Sequence, residues 1–272
     1  MSALSAHYTG YEPIAIVGIG CRVAGAHSPG ALWRLLIEGR DQVGEIPSSR
    51  WDVDQLYSAD PRAPGRMVTR AGSFLERSEQ SDRPGEIDGF DWRVFGIPPR
   101  EAKHVDPQHR ILLEVAWEAL EDAGWPLESI AGEAGAVHIG IFTRDYEKQL
   151  ANRHELIEGY TAASNTGAFA ANRLSFFFDL RGPSVAVDAT SASSAVAIHQ
   201  ACRSIWAGEA EFALTGGVSL ILAPDVHISM SKAGALSPSG RCRTLDADAD
   251  GMVRGEGAGL LVLAPLSRAR AR

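Results

Sequence analysis

The helix predicted at residues 191–208 constrains the fold more than any other segment. Its sequence, SASSAVAIHQACRSIWAG, carries small or apolar side chains almost all round. A helix without a polar face is buried, so this one belongs between two layers of a larger fold. It follows a short buried strand at residues 184–188, SVAVD, and the tight turn between them places hydroxyl side chains at a helix N-terminus.

Buried strands and helices alternate along the rest of the chain. Residues 14–21, IAIVGIGC, predict a strand buried on both faces of a sheet. Residues 28–39 and 106–124 each begin with a capping Ser or Asp followed by Pro and end at Gly, which is typical of helices. Four more segments continue the alternation: strands at 136–142, 211–222 and 257–266, and a helix at 166–178. The pattern predicts an α/β fold.

The end of the sequence adds one expectation about assembly. The strand predicted at 257–266 is followed only by the polar residues of the segment LSRARAR, and we expect no closing helix. A sheet that finishes there would have an unpaired edge and an uncovered face. We therefore expect another chain to provide the missing cover.

Composition and charge exclude several classes of function. The 272 residues carry a formal net charge of −8 and no long run of Lys and Arg, so we expect no nucleic acid partner. The sequence shows neither a secretory signal nor a membrane span. The three cysteines are widely spaced and form no CxxC pair, which predicts neither a disulfide framework nor a zinc site. We expect a cytoplasmic protein that does not bind a membrane.

Two motifs resemble ligand sites without matching them. Residues 18–25, GIGCRVAG, lack the GxGxxG spacing of a dinucleotide-binding loop. Residues 246–257, DADADGMVRGEG, resemble a calcium loop, but Gly257 stands where a bidentate Glu is needed. We predict a tight structural turn there, and neither a metal ion nor a cofactor for the protein.

Candidates for acid–base and nucleophilic chemistry are few. His227, close to Asp225 in a predicted loop, is the one histidine that resembles an exposed dyad, and a solvated surface pair is the simpler interpretation. His199 lies on the helix predicted to be buried, so we expect a hydrogen-bonded core residue. Ser191 lacks the flanking glycines of a hydrolase nucleophile elbow and the lysine of an S-x-x-K motif. Its turn is interpreted equally well as a close-packing turn or as a nucleophile site.

Four long runs resemble the β-ketoacyl synthase domains of modular polyketide synthases. They lie in order between residues 12 and 270, at 14–41, 88–125, 181–224 and 235–269. The resemblance implies a thiolase-like, layered α/β/α fold, of which this chain holds the N-terminal half only, completed by a partner chain. It also implies a dimer or hetero-oligomer that works on acyl chains held by the phosphopantetheine of an acyl carrier protein.

The same resemblance sets the predicted domain organisation. Residues 1–12 form an N-terminal tail. Residues 13–272 form one truncated ketosynthase-like domain, with an excursion of loops and short elements at about 42–105. Within this excursion, residues 76–86 are the most polar stretch and predict a mobile surface loop.

Two departures from the family pattern bear on the chemistry. The family motif D-T-A-C-S-S-S has a cysteine nucleophile, and here Ser191 occupies its position, with Asp188, Thr190 and Ala192 around it as support for the pocket or an oxyanion. The family's two catalytic histidines, in an H-G-T-G-T motif and a later Gly-His motif, lie beyond the last residue of this chain. A serine hydroxyl needs an adjacent base to become nucleophilic. We therefore expect no condensation by this chain alone.

Three interpretations of the function remain. In the first, a partner subunit supplies the histidines, and the complex performs acyl transfer, hydrolysis, dehydration or cyclisation rather than condensation. In the second, the chain is a catalytically inactive scaffold or a binding subunit like a chain-length factor. In the third, it is an autonomous serine hydrolase, which the lack of a base at a recognisable spacing disfavours. We favour the first.

Overall fold

A computed structural model of the chain describes residues 10–75, 87–150 and 153–271. The loop predicted at 76–86 and most of the tail predicted at 1–12 therefore lie outside the described residues. The strands are β1 (Ile14–Val23), β2 (Gly44–Glu45), β3 (Ala71–Gly72), β4 (Gly135–Ile141), β5 (Ser184–Val187), β6 (Phe212–Ser219) and β7 (Gly257–Pro265). The helices are α1 (Pro29–Ile37), α2 (Val53–Leu56), α3 (Pro99–Ala102), α4 (Pro107–Asp122), α5 (Asp145–Leu150), α6 (Thr161–Asn165), α7 (Phe169–Phe177), α8 (Ser193–Trp206), α9 (Asp225–Lys232) and α10 (Leu266–Ala271).

Five of the described strands form one mixed sheet in the order β1-β7-β6-β4-β5, and β2 and β3 pair separately. β4 is parallel to β5 and β6, whereas β7 is antiparallel to both of its neighbours, β1 and β6. The prediction of an unpaired edge at the last strand is wrong, because β1 pairs with the outer side of β7. The prediction that no helix follows this strand is also wrong, because α10 begins directly after β7.

Alternating side chains along β4 show how the helices are layered. Val137 and Ile139 belong to the main core, which also contains the buried faces of α4 and α7. His138 and Gly140 point the other way, toward α8. The α/β/α layering predicted for this chain is confirmed, with α4 and α7 on one face of the sheet and α8 on the other.

The ends of the helices follow their capping residues. The Ser28 hydroxyl accepts a backbone hydrogen bond in the first turn of α1, and the Asp106 carboxylate does the same for α4. Each helix is followed by a glycine with positive φ, Gly39 at 62° and Gly124 at 67°. Both predicted helices are confirmed. None of the described helices combines the length and apolar character needed to cross a membrane.

One face of the sheet is only half covered, because α8 packs on β4, β5 and β6 and leaves most of β1 and β7 open. Ile16 and Ile19 of β1 are exposed, so the prediction that this strand is buried on both faces is wrong. The outer side of α8 is exposed as well and includes His199, which is therefore not the core residue that we expected. The sheet covers only one side of α8, although its side chains are small or apolar almost all round.

The four residues after β6 are buried without belonging to a strand. The strand predicted at 211–222 ends early, at Ser219, and the backbone N–H groups of residues 220–223 donate to side chains instead. Gln108 accepts from the first, Glu256 from the second and Asp145 from the last two, at 2.6–3.2 Å. Because these four buried donors are paired, the segment has a fixed path into α9.

Candidate active site

The turn between β5 and α8 presents Ser191. The Asp188 carboxylate accepts a hydrogen bond from the backbone N–H of Thr190 at 3.1 Å. Thr190 has φ of 51°, a left-handed conformation that is costly for a β-branched residue. Ser191 follows it within a single 3-10 turn, Thr190–Ala192, and α8 begins directly afterwards.

A second serine, Ser193, holds this turn in place. Its oxygen accepts a hydrogen bond from the backbone N–H of Ala189 at 2.9 Å, and its hydroxyl donates to the carbonyl oxygen of Thr190 at 2.7 Å. The side chain is nearly buried, with 6% of Ser193 exposed. This supporting role was not predicted from the sequence, although a serine at this offset from a turn is a recognised way to satisfy backbone groups.

Two glycines bring the start of α8 close to the sheet. A Cβ on Gly140 of β4 would lie 2.6 Å from the backbone nitrogen of Ser194, and one on Gly217 of β6 would lie 3.0 Å from the Ser194 Cβ. Only glycine allows so close an approach. The serine turn therefore rests on the carboxyl ends of parallel strands, where α/β folds commonly bind their ligands.

A cavity of about 810 Å³ opens in front of this turn, between α1, α8, α9 and the adjoining strands. The hydroxyl residues of the turn line it: Thr190, Ser191, Ser193 and Ser194. Its mouth is surrounded by exposed apolar side chains, which we call the apolar rim: Ile19, Trp33, Leu36, Phe142 and Met252. The volume is within the range of ordinary ligand sites.

Ser191 has no activating base among the described residues of this cavity. Among the described residues that line it there is no histidine and no carboxylate, and the titratable side chains are Cys21 and Arg254. Burial raises the pKa of the Cys21 thiol, so it stays protonated. No described residue makes a hydrogen bond with the Ser191 hydroxyl. The turn positions this hydroxyl but does not activate it.

The four predicted site residues are adjacent in the turn, but only two reach the cavity. Ser191 and Thr190 line it, and Asp188 and Ala192 do not. The backbone N–H of Thr190 is bonded to Asp188, and that of Ala192 donates to the carbonyl oxygen of Ala189 at 3.1 Å. Neither N–H group is available to bind an oxyanion in this conformation. The predicted oxyanion support therefore requires these two hydrogen bonds to break.

His227 is not the exposed dyad member or the surface residue that the sequence suggested. It lies in α9 and is completely buried, whereas Asp225 is exposed. Its Nδ1 accepts a hydrogen bond from Arg254 at 2.8 Å, and its ring packs edge-on against Trp51. Burial and the Arg254 charge lower the pKa of His227 to about 3, so it is neutral. The helical turn of α9 places this side chain in the core.

The loop that resembles a calcium site is a structural connection. The Asp250 carboxylate accepts hydrogen bonds from the Ser237 hydroxyl at 2.6 Å and from the backbone N–H of Ser239 at 3.2 Å. Gly251 follows with φ of 137°. These contacts fit the tight turn predicted there. Within the described ranges, no cluster of three or more His, Cys, Asp and Glu side chains could hold a metal ion.

The layers and the serine turn define a class of protein. A helix that begins at the carboxyl ends of parallel strands, with further helices on the opposite face of the sheet, is the arrangement of the N-terminal half of a thiolase-like ketosynthase. The family model for the N-terminal domain of beta-ketoacyl synthase matches residues 11–269. The chain belongs to this family.

Curated relatives are components of polyketide synthases. The chain is 46% identical over 259 residues to a phenolphthiocerol/phthiocerol polyketide synthase subunit of Mycobacterium tuberculosis. It is 47% identical over 259 residues to another phenolphthiocerol/phthiocerol polyketide synthase subunit, from Mycobacterium bovis, and 95% of this chain is covered in both cases. It spans only 16% and 14% of the length of these two relatives.

Solved ketosynthases share the fold. The oxazolomycin ketosynthase domain of Streptomyces albus is 38% identical, with a TM-score of 0.86 over 96% of this chain and 43% of that one. The ketosynthase from module 6 of the bacillaene synthase of Bacillus subtilis is 38% identical, with a TM-score of 0.83 over 95% and 41%. The predicted family and fold are confirmed, and the role of Ser191 stays a prediction.

Proposed function

We propose that this chain is a non-elongating, ketosynthase-like subunit of polyketide biosynthesis that acts with a partner subunit on acyl chains carried by an acyl carrier protein. One observation carries the proposal. Ser191 stands on a held turn at a ligand-sized cavity, yet the described residues that line this cavity include no general base. A positioned serine hydroxyl still needs an adjacent base to become a nucleophile, and a partner subunit would supply that base.

Acyl transfer through Ser191 is the reaction that this geometry supports best. The Ser191 oxygen forms a bond to the acyl carbon, and the thioester bond to the carrier's phosphopantetheine breaks. The hydroxyl proton passes to a base of the partner and from there to the leaving thiolate. Hydrolysis follows if water accepts the acyl group, and dehydration or cyclisation would use the cavity without a covalent step. Phosphopantetheine belongs to the carrier and is not a resident cofactor.

The apolar rim supports a partner that covers the cavity. Trp33 and Leu36 of α1 are 66% and 61% exposed, and both line the cavity. Large apolar side chains gathered around one opening are typical of a protein interface. The half-covered face over β1 and β7 adjoins them. A partner seated there would bury this surface and bring its own side chains next to Ser191.

Co-expression with neighbouring genes for ketosynthase-like proteins tests this proposal. The assembled complex is incubated with acylated carrier proteins, and the intact masses of carrier and subunit are measured. We expect loss of the acyl group from the carrier in the complex and none with this chain alone. No stable complex, or no mass change on any carrier, would contradict the proposal.

The second candidate function is a catalytically inactive scaffold or a chain-length-factor-like binding subunit. The same lack of a described base in the cavity favours it, because a binding subunit needs no activated hydroxyl. Ser191→Ala separates the two functions. In the assembled complex this variant loses acyl transfer if Ser191 is the nucleophile, and it keeps full activity if the chain only binds.

A further inference from the structure

Arg254 is the one cationic side chain among the described residues that line the cavity. It lies three residues before β7 and shares the wall with apolar side chains that include Met230 and Met252. Burial lowers the pKa of the guanidinium, because water that would solvate the charge is excluded. A partly buried charge is costly unless it has a partner.

The described protein gives Arg254 few partners. Its Nη1 donates to Nδ1 of His227 at 2.8 Å, and no other hydrogen bond or salt bridge joins its guanidinium to a described residue. Asp145 and Glu256 raise its pKa, yet their carboxylates accept backbone hydrogen bonds from residues 221–223. Glu256 is also paired with Arg50 at 2.8 Å. Arg254 therefore keeps donors that are available at the cavity wall.

Arg254 and the serine turn line the same cavity. The first turn of α8 rests on Gly217 of β6. Ser219, two residues further along β6, pairs with Gly257, three residues after Arg254. A ligand held by Arg254 therefore occupies the cavity that Ser191 also lines.

We propose that Arg254 binds a carboxylate attached to an apolar body, which enters the cavity through the apolar rim. A guanidinium can hold a carboxylate with two parallel hydrogen bonds, and the apolar lining accepts the rest of the ligand. A free acyl acid and an acidic side chain on an apolar segment of a partner offer Arg254 the same chemistry. This chain holds the carboxylate by itself, so the binding does not depend on acyl transfer at Ser191.

Octanoate is the probe for this site, and octanamide, an uncharged ligand with the same chain, is its matched control. Calorimetric titration of the full chain should show that octanoate binds more tightly than octanamide. Arg254→Gln should weaken octanoate binding roughly tenfold to a hundredfold, as expected for the loss of a charge-assisted hydrogen bond. The affinity of Arg254→Lys for octanoate should lie between those of the native chain and Arg254→Gln, since an ammonium keeps the charge but cannot form two parallel hydrogen bonds. Unchanged octanamide binding and an unchanged near-ultraviolet circular dichroism spectrum would show that each variant is folded.

Two results overturn the inference: octanoate binding no more tightly than octanamide, or binding equally to the native chain and to Arg254→Gln. Failure of both ligands to bind counts against it as well. Octanoate added to the assembled complex then identifies the source of the natural carboxylate. Release of the partner indicates an acidic side chain of that partner, and binding without release indicates a free acid. Mass measurements at Ser191 are independent of these titrations, so either proposal can fail without the other.

Discussion

The Ser193 hydroxyl donates a hydrogen bond to the carbonyl oxygen of Thr190 at 2.7 Å and closes the turn that presents Ser191. The same serine oxygen accepts the N–H of Ala189. Thr190 is in a left-handed conformation that persists only when its surroundings hold it. The hydroxyls of the turn therefore have different roles, because Ser193 maintains the backbone and Ser191 is directed at the cavity.

Ser193→Ala should destabilise the chain by about 1–2 kcal/mol, because it leaves the N–H of Ala189 without its partner and removes one of the two hydrogen bonds that the Thr190 carbonyl oxygen accepts. Chemical denaturation measures the change. Ser194→Ala is the matched control, since Ser194 is exposed and forms no described hydrogen bond, and it should cost less than about 0.5 kcal/mol. Equal costs for the two variants would show that Ser193 does not hold the turn.

Gly140→Ala should displace the start of α8 from the sheet. The added methyl group would meet the backbone of Ser193 and Ser194, and the expected loss of stability is about 1–3 kcal/mol. Gly259→Ala in β7 is the control, because a Cβ there meets no atom within 4 Å. Thermal unfolding of both variants tests the contact, and a Gly140→Ala variant as stable as the control would refute it.

The Glu114 carboxyl should make stability depend on pH. Burial raises its pKa from 4.5 to about 7, despite the opposing charge of Arg22. The folded state therefore binds this proton more tightly than the unfolded state, and stability falls as pH rises from 4.5 to 7. Glu114→Gln should be more stable than the native chain at pH 8 by on the order of 2 kcal/mol, and the difference should vanish near pH 4.5.

Unfolding titrations of both proteins at the two pH values give this difference. His109 and His227, whose pKa values are lowered to about 3 by burial, reduce the stability of both proteins alike below pH 6.5. Their contribution cancels in the comparison. A difference that is the same at pH 4.5 and pH 8 would show that Glu114 is not buried as described.

Trp33→Ser should weaken the binding of the partner subunit while the chain stays folded, because it removes a large exposed side chain from the apolar rim. Phe176→Ser is the matched control: Phe176 is 88% exposed on α7, away from the cavity and on the other face of the sheet. Analytical ultracentrifugation of the assembled complex compares the two. Stronger dissociation by Phe176→Ser than by Trp33→Ser would place the partner elsewhere.

Much of the fold could be predicted because its signals are local. The caps at Ser28 and Asp106 and the glycines after both helices mark their ends within the sequence itself. The order of strands in the sheet is not set by local sequence signals. The position of β7 inside the sheet depends on its antiparallel pairing with β1, more than 230 residues earlier in the chain, and no nearby residue records it.

The candidate site was predictable in part for the same reason. The turn and the position of Ser191 follow from the short strand and the helix around them, together with the family resemblance. The cavity depends on α1, α8 and α9 meeting over the sheet. Periodicity also could not show that the sheet packs on only one side of α8. An apolar helix has the same sequence pattern whether it is buried by its own chain or by another chain. His227 was misplaced because α9 turns it into the core.

The mass of the subunit after incubation with an acylated carrier protein tests the central claim most directly. We predict that the native subunit gains the acyl mass at Ser191 only when the partner is bound, and that Ser191→Ala gains none in the same complex. Acylation of the isolated chain, or an equal gain of mass by Ser191→Ala, would contradict the account.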